Sequence, residues 1–206
     1  GNFVDGNHVL LSGGIHPNER EGIMVLEESL GGLLDGSIKL TEGKVLCILG
    51  NVEELKVADI ERRETSRSLG YNLNRLFGLE SPPEGAEGSP EWDRAKLLEK
   101  IIVNFAPDIH FDAHCTRRPS VLGPFAVYPH SNEFPESAEF LEMIRAMKIE
   151  QGLVRAHDST PQQVTFSGWT SQRLGANSTT IELGERATDE AEAMVPNVTE
   201  VIKSVI

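Results

Sequence analysis

His16 and Glu19 stand three residues apart in Gly13-Gly14-Ile15-His16-Pro17-Asn18-Glu19, directly after the apolar run Val9-Leu10-Leu11. His114 closes a second apolar run, Ile109-His110-Phe111-Asp112-Ala113-His114. A His and a Glu at this spacing share one face of a helical turn, so both can reach one small cation that a distant His completes. The Gly13-Gly14 pair permits the sharp turn this needs. Two imidazoles and one carboxylate leave the fourth position of a zinc ion open for water, the donor set of a catalytic site. The reading is a hydrolase with one Zn2+ per chain.

Other residue types fit the same chemistry. His110, Asp112 and His114 alternate along a strand and so share a face. His114, the last of them, is the preferred ligand, and Asp112 is placed to orient an imidazole. In Thr179-Thr180-Ile181-Glu182-Leu183-Gly184, Ile181 and Leu183 face one side while Glu182 and Thr180 face the other. Burial of the Glu182 carboxylate raises its pKa, which suits a general base. Arg67, Asn74 and Arg75 lie close together in sequence. An Arg fork binds both oxygens of a carboxylate, and an Asn adds donors beside it. Arg62, Arg63 and Arg117 read as surface residues paired to acidic neighbours.

These residues must be positioned by a sheet. Short apolar runs alternate with amphipathic stretches, the α/β pattern. Strands are expected at Val9–Ser12, Val45–Leu49, Asp108–Ala113, Pro124–Tyr128 and Ser178–Leu183. Helices are expected at Glu21–Leu34, Val52–Val57, Glu91–Phe105, Ser137–Lys148 and Ser167–Leu174. A last helix runs from Thr188, interrupted or kinked at Pro196. Ala58–Gly70 reads as polar and irregular, and Ser81–Pro90 as a mobile loop. His16, Asn51, His114 and Glu182 each fall at or just past the end of an apolar run, where open α/β sheets bind ligands.

The formal net charge of −13 argues against nucleic acid or an anionic membrane as partner, since both require clustered Lys and Arg. It leaves room for a small anionic substrate, because a few Arg can dominate a pocket locally. Cys47 and Cys115 read as free, buried thiols of a reducing compartment. No apolar run approaches ~20 residues and no secretory leader is visible, so the cytoplasm is the expected location. Nothing in the sequence addresses oligomeric state.

Taken in order, these segments resemble the succinylglutamate desuccinylase/aspartoacylase family of the zinc carboxypeptidase-like superfamily. Leu10–Glu19 is similar to its strand and turn with the His and Glu ligands. Ile48-Leu49-Gly50-Asn51 is similar to its second strand. Arg67 with Asn74-Arg75-Leu76-Phe77 resembles its Arg and its Asp-x-Asn-Arg-x-Phe signature. His110–His114 resembles its Asp-x-His segment, Arg118-Pro119-Ser120 falls where Arg-Gly-Ser is common, and Thr180–Gly184 resembles its catalytic Glu strand. Asn72 departs from the signature, which has Asp there.

The resemblance implies a three-layer αβα fold with a central mixed, largely parallel sheet. It implies that His16, Glu19 and His114 hold zinc, that Glu182 activates water and that Arg67 stabilises the oxyanion. Asn74 and Arg75 would grip a substrate carboxylate, and Arg118 a second one on the acyl side. The substrate would be an N-acyl amino acid cleaved at its amide. Family members generally carry a further β-rich C-terminal region, so residues 1–206 are expected to form a single zinc-hydrolase domain without it. A carboxypeptidase or peptide amidase acting on short peptides is the enzymatic alternative, and a non-catalytic metal-binding protein the alternative of another class.

Overall fold

The structure, a computed structural model, describes residues 6–40, 42–61, 64–119, 123–129, 137–149, 151–155 and 165–206. Arg62, Arg63 and Ser120 lie outside the described residues. The chain runs β1 (His8–Gly13), α1 (Arg20–Asp35), β2 (Lys44–Leu49), α2 (Val52–Glu61), a 3-10 turn (Leu73–Arg75), α3 (Pro90–Phe105) and β3 (Ile109–Thr116). It continues with β4 (Phe125–Pro129), α4 (Ala138–Ala146), β5 (Gln151–Arg155), α5 (Phe166–Leu174), β6 (Asn177–Glu185) and α6 (Asp189–Val205).

The strands form one sheet in the order β2-β1-β3-β6-β4-β5. Among the described residues, only the β4–β6 pair is antiparallel. Helical crossovers place helices on both faces, giving the expected three layers. On one face Val9, Leu11, Phe111, Ala113, Ile181 and Leu183 pack against residues of α1, α4 and α6 such as Val25, Phe140 and Val198. The other face joins Leu10 and Ile48 to Leu73 and Phe77, to Leu98 and Ile102 of α3, and to Phe166 and Trp169 of α5.

That second face turns polar along its centre. Parallel register pairs His110 with Ser178, Asp112 with Thr180 and His114 with Glu182, and Ser12 of β1 lies opposite Asp112. Alternation alone puts these side chains on one face, so a polar ladder climbs through the core toward the carboxyl ends of the strands. Polar groups buried in this way are costly unless they bond one another, and they do. Asp112 Oδ1 accepts from Ser12 Oγ at 2.6 Å, Ser12 Oγ lies 2.8 Å from His110 Nε2, and His110 Nδ1 lies 2.8 Å from Thr170 Oγ1.

Several elements differ from expectation. α1 matches the expected helix to within one residue at each end and is capped by Gly36, whose φ of 79° is left-handed; other bounds shift further. α2 extends to Glu61, and α6 is one helix with Pro196 inside it. β5 has no counterpart in the sequence reading. Of the expected loop Ser81–Pro90, residues 81–89 form two tight turns around the buried Ala86, closed by Ala86 N–H to Pro83 and Ser89 N–H to Ala86, and Pro90 begins α3. Ser89 then caps α3 by accepting from Trp92 N–H. Both thiols are free, and Cys47 is half-buried where full burial was expected.

Candidate metal centre and cleft

The turn from β1 into α1 starts at Gly14, whose φ of 65° suits glycine. His16 and Glu19 come together through a β-turn, not a helical turn: Glu19 N–H bonds to His16 C=O at 3.0 Å. Glu19 occupies the N-cap position of α1, yet its side chain caps nothing there. Its carboxylate turns inward instead. Oε1 lies 2.9 Å from His16 Nδ1 and 2.9 Å from Arg67 Nη1. Oε2 lies 2.8 Å from His114 Nδ1 and accepts from Cys115 N–H at 3.2 Å. His16, Glu19 and His114 are all buried.

Each imidazole is held from behind. His16 Nε2 donates to Asn72 Oδ1 at 3.0 Å, and His114 Nε2 donates to Asp112 Oδ2 at 3.0 Å. Both rings therefore present Nδ1 to the centre, 3.2 Å apart. Zn–N bonds of ~2.0–2.1 Å in a tetrahedron set two nitrogens about 3.4 Å apart, close to the separation found. One ligand atom from each of the three residues lies within 4.8 Å of the others. The donor set and its spacing fit a zinc ion.

The electrostatics agree. Burial lowers the His16 pKa, keeping the imidazole in the neutral form a metal needs. Burial works to raise Glu19, but the charge and hydrogen bond of His114 outweigh it and hold the carboxyl well below its ordinary range. Burial likewise opposes the charged form of His114, and the Asp112 and Glu19 carboxylates outweigh it, lifting that pKa well above the usual His value. Two buried carboxylates thus demand positive charge at this point.

Glu182 stands beside His114 on the neighbouring strand. Its Oε2 is buried with no hydrogen-bond partner among the described residues, and burial raises its pKa. It lines a cleft of about 480 Å³ together with His16, Glu19, His114, Arg67, Asn74, Arg75, Arg117, Thr180 and others. Asn74 Oδ1 accepts from Phe166 N–H at 2.7 Å, which fixes the amide and leaves its NH2 group for the cleft. Arg75 Nη1 donates to the Asn74 carbonyl at 3.0 Å.

Residues 5–202 match the succinylglutamate desuccinylase/aspartoacylase catalytic domain. The chain belongs to this family. It is 34% identical over 182 residues to a succinylglutamate desuccinylase of Serratia proteamaculans, covering 86% of this chain and 51% of that protein. The corresponding protein of Pseudoalteromonas atlantica is 31% identical over 185 residues, covering 86% of this chain and 49% of its own length. The chain thus spans about half the length of these curated relatives. The crystal structure of a succinylglutamate desuccinylase from Chromobacterium violaceum superposes with a TM-score of 0.79 at 26% identity, over 97% of this chain and 63% of that one. A metallo-carboxypeptidase from Burkholderia cenocepacia shares the fold, with a TM-score of 0.65 at 16% identity, over 100% of this chain and 60% of that one.

Against the succinylglutamate desuccinylase/aspartoacylase signature, Asn72 proves to be the partner of a proposed ligand. Its amide oxygen takes the place of a carboxylate oxygen behind His16 and also accepts Asn74 N–H at 3.0 Å, capping the 3-10 turn. Arg117 lines the cleft and Arg118 does not; the Arg118 carbonyl instead accepts from Thr116 Oγ1 at 2.8 Å. The resemblance of Arg118-Pro119-Ser120 to Arg-Gly-Ser pointed to Arg118, which follows the end of β3 at Thr116. Asn51, singled out for its position, is buried behind the site, where its Oδ1 faces Glu54 N–H at the start of α2.

Proposed function

We propose that this chain is a zinc-dependent amide hydrolase acting on N-acyl amino acids that carry carboxylates. The observation that carries the reading is Glu182 Oε2, buried and without a partner among the described residues, beside the converging His16, Glu19 and His114. A structural metal site needs no such base. His16, Glu19 and His114 would hold the ion; when bound, zinc polarises a carbonyl and lowers the pKa of water to about 7. Glu182 takes the proton of the attacking water and passes it to the leaving amine. Arg67 donates to the oxyanion, a contact typically worth roughly 3 kcal/mol. Arg75 and the NH2 of Asn74 grip a substrate carboxylate and orient the amide. Arg117 supplies positive charge for a further carboxylate, in the place first given to Arg118. The names of the relatives make N-succinyl-L-glutamate the first compound to test.

The test is amine release by the zinc-loaded chain from N-succinyl-L-glutamate, N-acetyl-L-aspartate and short peptides ending in Glu. Release from an N-acyl amino acid supports the proposal. Release from peptides alone makes the chain a carboxypeptidase or peptide amidase, and release from none, with zinc bound, leaves the non-catalytic metal-binding reading. Among the described residues no helix is long and apolar enough to cross a membrane.

A further inference from the structure

Arg67 sits in residues 64–72, a stretch without helix or strand. Three backbone N–H groups of this stretch, those of Ser66, Leu69 and Gly70, go to two carboxylates from different helices. Glu54 of α2 accepts the N–H of Ser66 at 2.5 Å and its Oγ–H at 2.7 Å, both on Oε1. Glu91, in the first turn of α3, accepts the N–H of Leu69 at 2.7 Å and of Gly70 at 3.2 Å, again on Oε1. The two acids are 0% and 1% exposed, and neither lines the cleft. Glu91 Oε2 has no hydrogen-bond partner among the described residues, so the hydrogen bonds found for Glu91 are all to this stretch.

Acids in the first turn of a helix are ordinarily surface groups favoured by the helix dipole. Burying an ionised carboxylate is costly unless charge-assisted bonds compensate. Here those bonds hold the chain on both sides of Arg67: one anchor on the residue before it, the other on the second and third residues after it. The Arg67 side chain is itself 48% exposed and meets Glu19 Oε1 at 2.9 Å. A long side chain at such a position is aimed largely by where its backbone is fixed.

We propose that Glu91 and Glu54 are positioning residues for Arg67, holding its backbone so that the guanidinium meets the oxyanion. This rests on the role given to Arg67 above. A donor misplaced by ~1 Å costs turnover about 100-fold, so Glu91→Ala should lower kcat by roughly 10- to 100-fold on N-succinyl-L-glutamate. KM and zinc content should change little. Glu91→Gln keeps an acceptor oxygen and should retain most of the activity.

The deciding experiment is a double-mutant cycle of Glu91→Ala with Arg67→Ala, with amide hydrogen exchange at Leu69 and Gly70 read on the same zinc-loaded proteins. The proposal expects the Glu91→Ala loss to vanish in the Arg67→Ala background and exchange at both amides to quicken at least about 10-fold. A full Glu91→Ala loss in that background overturns the positioning role while leaving the oxyanion role of Arg67 intact. Turnover of Arg67→Ala equal to wild type removes the oxyanion role itself, and the proposal with it. Unchanged exchange in Glu91→Ala overturns the proposal whatever the turnover.

Discussion

His16 and His114 turn the same ring nitrogen toward each other, Nδ1 to Nδ1 at 3.2 Å, because each Nε2 is tied down behind. The ties are unequal: an anionic carboxylate, Asp112, holds His114, and a neutral amide, Asn72, holds His16. A carboxylate behind an imidazole fixes the tautomer and also raises ligand basicity, whereas an amide does only the first. In the proposed zinc site, His16 would therefore be the weaker of the two nitrogen donors.

Asn72→Asp keeps an oxygen acceptor and adds negative charge, so zinc affinity should equal or exceed wild type. Asn72→Ala frees the His16 ring and should weaken zinc roughly 10-fold or more. Competition with a chromophoric chelator measures both. An affinity unchanged in Asn72→Ala would show that the bond does not orient the ligand.

Glu182→Gln should bind zinc normally and lose turnover by about two orders of magnitude or more, the contribution of a general base. Burial places the Glu182 pKa above the ordinary carboxyl value. The base works ionised, so kcat/KM should fall as pH drops through that raised pKa. A pH–rate profile with no acid limb above the usual Glu range, or a Gln variant near wild-type turnover, would remove Glu182 from the role.

Arg75→Ala should raise KM for N-succinyl-L-glutamate by roughly 10- to 100-fold through loss of a charge-assisted contact. Arg117 is exposed, so Arg117→Ala should cost only a few-fold, about 1 kcal/mol or less, and the effect should shrink with added salt. It should be larger for a succinyl than for an acetyl substrate. Arg118→Ala should match wild type; a larger effect there than at Arg117 would restore the first assignment.

His110 is wholly buried, and burial lowers its pKa to about 4. Ser12 gives its hydroxyl hydrogen to Asp112, so the neutral ring donates to Ser12 from Nε2 and accepts from Thr170 at Nδ1. Between pH 6.5 and this lowered value the unfolded chain holds a proton that the native state refuses. Stability from this group is thus present above the unfolded pKa and is lost as pH falls through the window. The loss between pH 7 and pH 5 is on the order of 2 kcal/mol. Urea unfolding at those two pH values should show His110→Gln with a correspondingly smaller pH dependence than wild type; equal dependence would contradict the buried neutral ring.

The convergence of His16, Glu19 and His114, the placement of Glu182 beside them and the layer order were legible because each rests on local pattern. Alternation along Ile109–His114 and Thr179–Leu183 puts His114 and Glu182 on one face, and parallel register then makes them neighbours. What was not legible depends on tertiary contact or local irregularity. Asn72 meets His16 across 56 residues, and Glu54 and Glu91 look like ordinary helix-start acids until their burial is known. Arg117 and Arg118 both follow the end of β3, where strand alternation no longer says which side chain lines the cleft. β5 offers only Leu153 and Val154 as an apolar core, too short a signal for a strand at the edge of the sheet.

X-ray absorption at the zinc edge, on protein loaded with one equivalent of the metal, addresses the central claim most directly. The account predicts stoichiometric zinc with two imidazole nitrogens, oxygen from a carboxylate and from water, and no sulfur, with both affinity and the imidazole signal reduced in His114→Ala. A sulfur shell at about 2.3 Å from Cys115, or zinc binding indifferent to His114, would contradict it.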